Sequence, residues 1–280
     1  MKYYVLYNPL AGNGKGKPEA EKLGGALEGE VVYTDKTLIE DYAQFFAGLE
    51  QDDVIVICGG DGTLNRFVND VKGLAVAQKI LYYACGSGND FLRDIPHEDG
   101  KPVEISEYIN NLPTVLANGK EYVFLNGVGY GIDGYCCEEG DKLRVEKPGT
   151  EINYAGIAIK GLLFHYKPTD ATVIVDGVEH TFKKVWLAPT MNGRYYGGGM
   201  LPAPAQRREH DKVSVMLFFG SGKLKTLMIF PSLFKGEHVK HKKNIAVFAG
   251  NEITVKFNQP RTLQIDGETV FDVTEYTVRK

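Results

Sequence analysis

The sequence predicts an α/β domain followed by an all-β domain, and three observations support this division. Up to about residue 117, strand and helix patterns alternate, which is typical of a doubly wound parallel sheet. From residue 118 onward, short apolar or alternating runs are separated by turn residues, which is typical of an antiparallel β-sandwich. Three predicted strands of the first part each end in a glycine-rich turn, and open parallel sheets bind ligands at that edge.

In the first domain, strand patterns cover residues 3–7, 31–33, 54–58 and 80–84, and helical patterns cover residues 18–27, 38–49 and 63–71. The strand at 54–58 is apolar and mostly β-branched, as expected of a parallel strand that is buried on both faces. Pro18 favours the first turn of a helix, because its fixed φ suits that position. The βαβα order therefore predicts a parallel sheet over residues 1–117.

In the second domain, strand patterns cover residues 122–125, 171–175, 184–188, 213–219 and 252–257, and one helix is predicted at 153–164. Turn signals such as Asp176-Gly177 separate the strands. Residues 270–279 again have strand character. We therefore predict that the β-sandwich occupies residues 118–270.

The composition restricts the kinds of partner. The 280-residue chain has a formal net charge of −4, so it lacks the overall positive field that attracts nucleic acid. Hydrophobic residues make up 43% and charged residues 24%, as in ordinary proteins with a packed core. No apolar run approaches the roughly 20 residues that span a bilayer. The N-terminus lacks a signal-peptide pattern, so we expect a cytoplasmic protein.

The turn at residues 59–63, Gly-Gly-Asp-Gly-Thr, has the composition of an anion-binding site. Its glycines remove side chains, so that backbone N–H groups can face a phosphate oxygen. The Asp61 carboxylate alone would repel a phosphate. A divalent metal bound between the two anions would explain why a carboxylate occurs at this position. Alternatively, the turn is a tight strand–helix connection whose aspartate caps the helix. Similar turns at residues 8–16 and 86–91 favour the phosphate interpretation.

Two carboxylates, Asp266 and Glu268, follow an apolar strand pattern near the C-terminus. Residues two apart in a strand face the same side, so this pair could share a metal, or one could bind Mg²⁺ while the other accepts a proton. The alternative is a hairpin, because Asp-Gly is a common two-residue turn.

The motifs of the chain, taken in order, resemble those of the diacylglycerol kinase catalytic family. They are Asn8-Pro9 with Gly12, residues 59–65 (Gly-Gly-Asp-Gly-Thr-Leu-Asn), residues 86–91 with Arg93, and residues 266–268 (Asp-Gly-Glu). The resemblance extends from about residue 3 to about residue 275 and points to the soluble bacterial lipid kinases, which are related to sphingosine kinases. It implies a kinase that uses ATP and Mg²⁺, with its active site in a cleft between the two domains. It also implies that residues 271–280 return to the first domain.

The resemblance implies roles for individual residues. Those assigned to nucleotide binding are Asn8, Gly59, Gly60, Asp61, Gly62, Thr63, Gly86, Ser87 and Asn89. Asp266 is the implied general base. Asp61 and Glu268 are the implied metal ligands, and Asp90 and Arg93 lie on the substrate side.

The second domain is expected to hold a lipid acceptor at the inner membrane surface, through transient peripheral contact. Residues 195–201, with two tyrosines, and the basic run at 238–243 are the candidate bilayer contacts. A structural Mg²⁺ site found in some relatives falls at Asp211, but here Lys212 stands where glycine is usual and Ser214 where an acidic residue is common. Exposed edge strands could also pair in a homodimer.

Two other functions stay open on the sequence alone. An NAD kinase-like enzyme would use the same Gly-Gly-Asp-Gly turn, but residues 89–91 are Asn-Asp-Phe where that family has an Asn-Glu pair. A non-catalytic lipid- or nucleotide-binding regulator is supported only by the departures near Asp211. No motif identifies the lipid acceptor, which could be diacylglycerol, a sphingoid base, phosphatidylglycerol or a polyprenol-like lipid.

Overall fold

A computed structural model describes residues 1–86, 89–147 and 152–280 of the chain. These residues form two compact units, Met1–Asn111 and Leu112–Lys280. The first is mixed α/β with a parallel sheet and the second is built on an antiparallel sheet, which confirms the predicted fold class. The boundary lies before residue 112 rather than after residue 117, because Thr114–Ala117 pairs with strands of the second unit.

The first unit alternates strands and helices. Strands β1 to β5 are Lys2–Tyr7, Glu30–Asp35, Val54–Gly59, Lys79–Ala84 and Val103–Glu104, and helices α1 to α5 are Ala11–Gly14, Gly16–Gly24, Tyr42–Ala47, Asp61–Asp70 and Ser106–Ile109. A short 3₁₀ turn, Lys36–Leu38, precedes α3, so the helix predicted over residues 38–49 is shorter than expected. Asp41 caps α3 by accepting a hydrogen bond from the Gln44 N–H, which explains where that helix begins.

Among the described residues of the first unit, five strands form one sheet in the order β2-β1-β3-β4-β5. Strands β1 to β4 are parallel and β5 is antiparallel. The chain first steps from β1 to β2, and then crosses to β3 and β4 on the other side of β1. The strand order therefore reverses between β1 and β3, and ligands of open α/β sheets bind beyond the carboxyl ends of the strands at such a point.

Helices cover both faces of this sheet. The side chains of β1 alternate between the two faces, and each face contacts a different helix. Val5 packs with Ala20 and Leu23 of α2. Tyr4, on the opposite face, contacts Phe45 of α3, with ring centroids 6.0 Å apart. This arrangement is the doubly wound architecture that the sequence predicted.

The second unit is mostly antiparallel. Strands β6 to β15 are Thr114–Ala117, Lys120–Val123, Gly127–Tyr130, Thr169–Val175, Val178–Val185, Thr190–Met191, Val213–Phe218, Ile245–Gly250, Glu252–Ile265 and Glu268–Arg279. Helices α6 to α8 are Ile132–Glu146, Tyr154–Lys160 and Lys223–Ile229, and a π-helical turn, Gly161–His165, follows α7. Two 3₁₀ segments, Phe230–Lys235 and Glu237–Lys240, follow α8.

The long strand β14 organises the second sheet. Its residues 253–257 pair with β9, its residues 263–265 pair with β8, and β15 runs beside both parts. Within the described residues, the main strand order is β13-β12-β11-β8-β14-β15-β6-β7, with β9 and β10 attached at β14. The core beneath includes Val173, Val255 and Leu263, none of which is exposed.

The last strand, β15, belongs to the second unit. It pairs with β14 and β6 along its length. Residues 271–280 therefore do not return to the first unit, as the resemblance implied, because their backbone hydrogen bonds are made within the antiparallel sheet.

Helix α6 is an element that the sequence analysis missed. Gly134 and Gly140 interrupt its apolar pattern and lower its intrinsic helix propensity. Gly134 is needed for close packing, since a Cβ there would lie 1.9 Å from the carbonyl oxygen of Thr262. Helix α7 and the π-helical turn together occupy the segment predicted as one helix at 153–164. None of the helices described is long and apolar enough to cross a membrane.

Candidate active site

The turn after β3 leads directly into α4. Gly60 caps the helix and Asp61 is its first residue, so a carboxylate lies where the helix dipole favours negative charge. Thr63 is buried in the first turn instead of capping the helix, because α4 begins at Asp61 rather than at residue 63. Thr63 packs closely on Gly59, where a Cβ would lie 2.5 Å from the Thr63 Oγ1 atom.

Asp61 joins the turn after β3 to the turn after β4. Its Oδ2 atom accepts a hydrogen bond from the Asp90 N–H at 2.7 Å, and its Oδ1 atom accepts one from the Phe91 N–H at 3.2 Å. The sequence suggested Asp61 as a metal ligand or a helix cap. The structure shows a third role, in which the carboxylate fixes the position of the neighbouring loop.

The two glycine turns also touch through their backbones. A Cβ on Gly86 would lie 2.7 Å from the Cα atom of Gly60, and one on Gly60 would lie 3.3 Å from the Cα atom of Gly86. Packing therefore requires glycine at residue 86, and a Cβ at residue 60 would be a tight contact. Gly62 is different, since a Cβ there would meet no described atom within 4 Å. A side chain at this position would point into open space at the rim of the turn.

Asn8 ends β1 with a turn. Its Oδ1 atom accepts a hydrogen bond from the Leu10 N–H at 2.9 Å, and its carbonyl accepts one from the Ala11 N–H at 3.0 Å. Gly16 packs against the same carbonyl, where a Cβ would lie only 1.9 Å from the Asn8 oxygen. The structure thus gives Asn8 a turn-forming role, and places it at the same edge of the sheet as the turn after β3.

The loop after β4 carries Asn89, Asp90 and Arg93. Asp90 is only 3% exposed, and its Oδ1 atom lies 3.5 Å from the Arg93 Nη1 atom. Because Asp90 is buried, this is not the fully exposed surface pair that the sequence left open. The Asn89 Oδ1 atom is buried and has no hydrogen-bond partner among the described residues. Ser87, also predicted to bind nucleotide, lies outside the described residues.

A groove of about 600 Å³ opens beside the carboxyl ends of β1 and β2 in the first unit. Its charged lining balances three basic residues against three acidic ones, and two polar side chains complete it: Lys36, Arg66, Lys72, Glu40, Asp41, Asp70, Asn8 and Thr37. The sequence analysis assigned only Asn8 to the site. The sequence position of Lys36 could have predicted its place in the groove. Lys36 follows β2 directly, and the carboxyl ends of parallel strands lie at one edge of the sheet.

Lys36 is a buried cation in the wall of this groove. It is 6% exposed, lies 3.7 Å from the Asp70 Oδ2 atom, and donates to the Thr63 carbonyl at 3.4 Å. Burial lowers the pKa of Lys36, while the charge of Asp70 acts in the opposite direction. Lys36 therefore links α4 to the end of β2, and its charge could act on an anion in the groove.

In the second unit, Asp266 and Gly267 form the two-residue turn between β14 and β15. Their φ angles are 47° and 92°, and Ile265 pairs with Glu268 across the turn. Asp-Gly with two positive φ angles is the favoured tight hairpin. The hairpin alternative is therefore correct, and Asp266 and Glu268 do not share one face of a strand.

The carboxylate of Asp266 organises the segment before β8. It accepts hydrogen bonds from the backbone N–H groups of Leu125, Asn126 and Gly127. The Asp266 N–H in turn donates to the Gly127 carbonyl at 3.0 Å. An ionised carboxylate has about four acceptor sites, so three are used in this anchoring role.

Glu268 begins β15 beside the same turn, and it is exposed. Neighbouring polar groups hold the turn in place, since the Gly267 N–H donates to the Gln264 Oε1 atom at 2.7 Å. Of the two predicted carboxylates, Glu268 is therefore the more accessible.

Asp211, where the resemblance placed a structural metal site, lies near the charged end of Lys280. The Lys280 Nζ atom donates to the Asn192 Oδ1 atom at 3.1 Å and to the Arg208 carbonyl at 3.4 Å. Burial and the charge of Arg208 lower the pKa of Lys280, while Asp211 acts in the opposite direction. Among the described residues, no group of three or more His, Cys, Asp or Glu is placed to hold a metal ion. A structural Mg²⁺ site at Asp211 stays a prediction.

Asp133 is a buried carboxyl group that the sequence analysis did not single out. Its Oδ1 atom accepts from the Gly134 N–H at 3.0 Å, and its Oδ2 atom accepts from the Tyr196 hydroxyl at 3.4 Å. Burial raises the pKa of Asp133 to about 6, against the opposing effect of these hydrogen bonds. The sequence around Asp133 contained a signal for this burial, since an acidic residue next to a run of apolar and glycine residues is expected to be buried.

The two loops proposed for bilayer contact are partly internal. Tyr196 is 4% exposed and packs with Met191 and Ala203, so it does not project from the 195–201 loop. In the basic run, His238 is fully buried and Lys240 pairs with Glu237 at 3.0 Å. The rest of each loop is not buried, since Tyr195 is half-buried and Lys242 and Lys243 are exposed, so bilayer contact at these loops stays a prediction.

Two family models match the chain. The diacylglycerol kinase catalytic domain matches residues 2–117, and the YegS C-terminal NAD kinase beta sandwich-like domain matches residues 126–277, which is more than half of the chain. The second model alone covers more than half of the chain, so the chain belongs to the family of this YegS-type β-sandwich domain, with a match to the diacylglycerol kinase catalytic domain before it. The resemblance predicted from the motifs is thereby confirmed, and the two matches support a kinase.

Named relatives cover most of the chain. A diacylglycerol kinase of Mycobacterium tuberculosis (strain ATCC 25618 / H37Rv) is 25% identical over 255 residues, which are 85% of this chain and 80% of that protein. A diacylglycerol kinase of Bacillus subtilis (strain 168) is 22% identical, over 94% of this chain and 88% of that protein. A solved structure of a diacylglycerol kinase from Bacillus anthracis str. Sterne shares the fold, with a TM-score of 0.62, 17% identity and coverage of 100% and 94% of the two chains.

Proposed function

We propose that the protein is a lipid kinase that transfers the γ-phosphate of ATP to the hydroxyl group of a diacylglycerol-like lipid, with Mg²⁺. The observation that carries this proposal is the junction at Asp61, whose carboxylate binds the loop after β4 and so joins two glycine turns into one rim. That rim lies at the carboxyl edge of the sheet, where the strand order reverses. The names of the relatives support a lipid acceptor.

The first unit is proposed to bind the nucleotide. Phosphoryl transfer needs mainly positioning and neutralisation of charge on the phosphates. The N-terminus of α4 and the glycine turns supply N–H donors. The groove, whose lining holds none of those glycines, contributes Lys36, Arg66 and Lys72 together with three acidic residues. A groove of about 600 Å³ lies within the usual range for small-molecule sites. The buried Asn89 Oδ1 atom, which has no hydrogen-bond partner in the described parts of the chain, is an acceptor that a bound ligand would satisfy.

Asp61 is proposed to hold Mg²⁺ together with the phosphates of the nucleotide. Proteins usually bind Mg²⁺ through one or two carboxylates plus substrate phosphates, so a cluster of three acidic residues is not needed. A carboxylate has about four acceptor sites, so Asp61 can hold the loop after β4 and still ligate a metal. When bound, the ion would neutralise charge on the phosphates.

The proton of the acceptor hydroxyl requires a nearby acceptor group. The resemblance implied Asp266 as this base, but its three backbone hydrogen bonds favour an anchoring role. We therefore extend the proposal to the whole Asp266-Gly267-Glu268 turn, in which Asp266 orients the turn and the exposed Glu268 accepts the proton. A largely dissociative transition state makes little demand on the strength of this base.

The test is transfer of label from γ-labelled ATP with Mg²⁺ to a panel of micellar lipids, followed by extraction into organic solvent. We expect label in one lipid class, and loss of that label in Asp61→Asn. Asp52→Asn is the matched control, because Asp52 is exposed and pairs only with the N-terminal amine among the contacts described for it.

Two results would contradict the proposal. Label in NAD, with none in any lipid, would favour the NAD kinase-like alternative, whose β-domain type matches residues 126–277. Full activity of Asp61→Asn would show that the assigned site is wrong. Since a diacylglycerol-like acceptor is held in a bilayer, we further propose that the enzyme is cytoplasmic and reaches the inner membrane surface transiently.

A further inference from the structure

Three of the most exposed large apolar side chains lie on α8 and on the π-helical turn Gly161–His165. Phe164 is 71% exposed, and Leu224 and Met228 are each 75% exposed. Leu224 and Met228 are four residues apart and therefore lie on the same side of α8. We call this area, with Lys223 and Lys225, the α8 surface.

The α8 surface is held rigidly by the core beneath it. Leu162 of the π-helical turn is fully buried and Ile229 of α8 is 4% exposed, and both belong to one apolar cluster. The Lys223 Nζ atom also donates to the Leu163 carbonyl at 2.7 Å, which ties α8 to the turn. Phe164, Leu224 and Met228 therefore point outward because the opposite sides of the π-helical turn and of α8 are packed in the core.

The charge of this region differs from that of the whole chain. Residues 152–167 and 220–236 contain no Asp or Glu, although the chain has a net charge of −4. Their basic side chains are Lys160, Lys167, Lys223, Lys225 and Lys235, with His165. The sequence analysis looked for a basic run and so missed these residues, which are separated along the chain.

Acidic residues on the neighbouring helix are already paired. Helix α6 packs against α7 and carries Glu138 and Glu139. Both accept hydrogen bonds from the Lys142 ammonium group, at 2.9 and 2.8 Å. One ammonium group offsets one of these two carboxylates, and the five lysines of residues 152–167 and 220–236 outnumber the other.

We propose that the α8 surface docks on an anionic lipid bilayer. Phenylalanine, leucine and methionine side chains gain by entering the boundary between headgroups and acyl chains, and lysine side chains can keep their ammonium groups among lipid phosphates. Each lysine near such a surface contributes attraction that is lost at high salt. Only the role of this docking rests on the proposed function, since docking would bring the enzyme to its lipid acceptor.

A second copy of the chain is a poorer occupant of the same surface. Two copies related by a two-fold axis would bring the same patch together, so that lysines would face lysines. A bilayer that contains anionic lipid supplies the opposite charge together with an apolar layer. Charge complementarity therefore selects the bilayer.

The test is sedimentation of the full-length protein with vesicles, in the absence of nucleotide. We expect binding to phosphatidylcholine vesicles that contain about a third phosphatidylglycerol, and little binding to phosphatidylcholine alone. Phe164→Ser and the double variant Leu224→Gln/Met228→Gln should each lower the partition coefficient about tenfold or more. Phe271→Ser is the matched control, because Phe271 is a 56% exposed phenylalanine on β15 of the same unit.

A second pair of variants tests the charge. Lys225→Gln and Lys235→Gln should each weaken binding to the anionic vesicles about fivefold, and high salt should remove the difference. Wild-type binding by both the lysine variants and the apolar variants would overturn the proposal. So would a dimer that Leu224→Gln/Met228→Gln dissociates while vesicle binding is unchanged, since the occupant would then be a second copy.

Turnover measurements separate this proposal from the proposed kinase function. The α8-surface variants should keep wild-type turnover of a short-chain, monomerically dissolved diacylglycerol, and lose turnover of the same headgroup in vesicles. If the wild type binds anionic vesicles but phosphorylates neither acceptor, the kinase proposal fails and the docking surface stands. If it phosphorylates both and the variants behave like the wild type, the docking surface fails and the kinase proposal stands.

Discussion

Asp266 shows how far a single residue can be interpreted from sequence. The Asp-Gly pair predicted either a strand with two carboxylates on one face or a hairpin turn, and the residues alone did not choose between them. The structure chooses the hairpin, because the φ angles of both residues are positive and the Asp266 carboxylate binds three backbone N–H groups. Those donors lie about 140 residues away along the chain, so no local pattern reveals them.

The two carboxylates of this turn should therefore respond differently to neutralisation. Asp266→Asn replaces one acceptor oxygen by an amide donor that faces backbone N–H groups, and we expect a loss of about 3 kcal/mol in the free energy of unfolding. Glu268→Gln should keep the stability of the wild type and lower kcat about a hundredfold or more. Urea unfolding and steady-state kinetics measure the two effects.

Glu275→Gln is the control for Glu268→Gln, because Glu275 is an exposed glutamate on the same strand. It should change neither stability nor kcat by much. A stable Asp266→Asn variant with a large loss of kcat would instead restore Asp266 as the base.

Asp133 gives a pH-dependent prediction at the same scale. Burial raises its pKa from about 3.8 to about 6, so the folded state binds a proton that the unfolded state releases at lower pH. Below about pH 4 the carboxyl group is protonated in the folded state, and Asp133 does not lower the free energy of unfolding. Above pH 6 the buried carboxylate is ionised and lowers the free energy of unfolding by about 3 kcal/mol. We expect the stability of Asp133→Asn, relative to the wild type, to rise between pH 4 and pH 6.5 in urea unfolding. A constant difference over this range would contradict the assignment.

At the scale of elements, the glycine turns are fixed by packing between loops as well as by ligand chemistry. The sequence correctly predicted the strands that precede these turns. It did not predict that Gly60 and Gly86 touch, because their contact depends on the pairing of β3 with β4. The helix over residues 63–71 was also expected too late, since Asp61 already lies in α4.

Two glycine substitutions separate the structural from the ligand-binding role of these turns. Gly86→Ala places a Cβ 2.7 Å from backbone, so it should force the turns apart and lower stability even without nucleotide. Gly62→Ala meets no described atom, so it should keep wild-type stability but weaken nucleotide binding. Thermal melting with and without an ATP analogue measures both effects. Equal stability of the two variants would show that the turns do not touch as described.

For the whole molecule, the two units have separate apolar cores. Val56 lies in the core of the first sheet and Val255 in that of the second, and neither is exposed. Cooperative unfolding is expected within each core, so the chain should not behave as a single two-state unit.

Core truncations should therefore affect different calorimetric transitions. Val56→Ala and Val255→Ala should each cost about 2 kcal/mol, the first lowering one transition temperature and the second the other. An ATP analogue should raise only the transition that Val56→Ala lowers. A single transition that both variants lower equally would show that the units unfold together.

The sequence by itself determined the fold class, the family and the order of the glycine turns proposed to bind phosphate, because these depend on local periodicity and on glycine at fixed positions. Only the tertiary structure decided which side chains meet. It brought Asp61 to the loop after β4, Lys36 to α4, Asp266 to the segment before β8, and Lys280 to the loop at Asp211. It also placed β15 in the second sheet and joined α8 to the π-helical turn through Lys223. Each of these contacts joins residues that are distant in the chain, and the energy of burial and of backbone pairing, not local propensity, selects them.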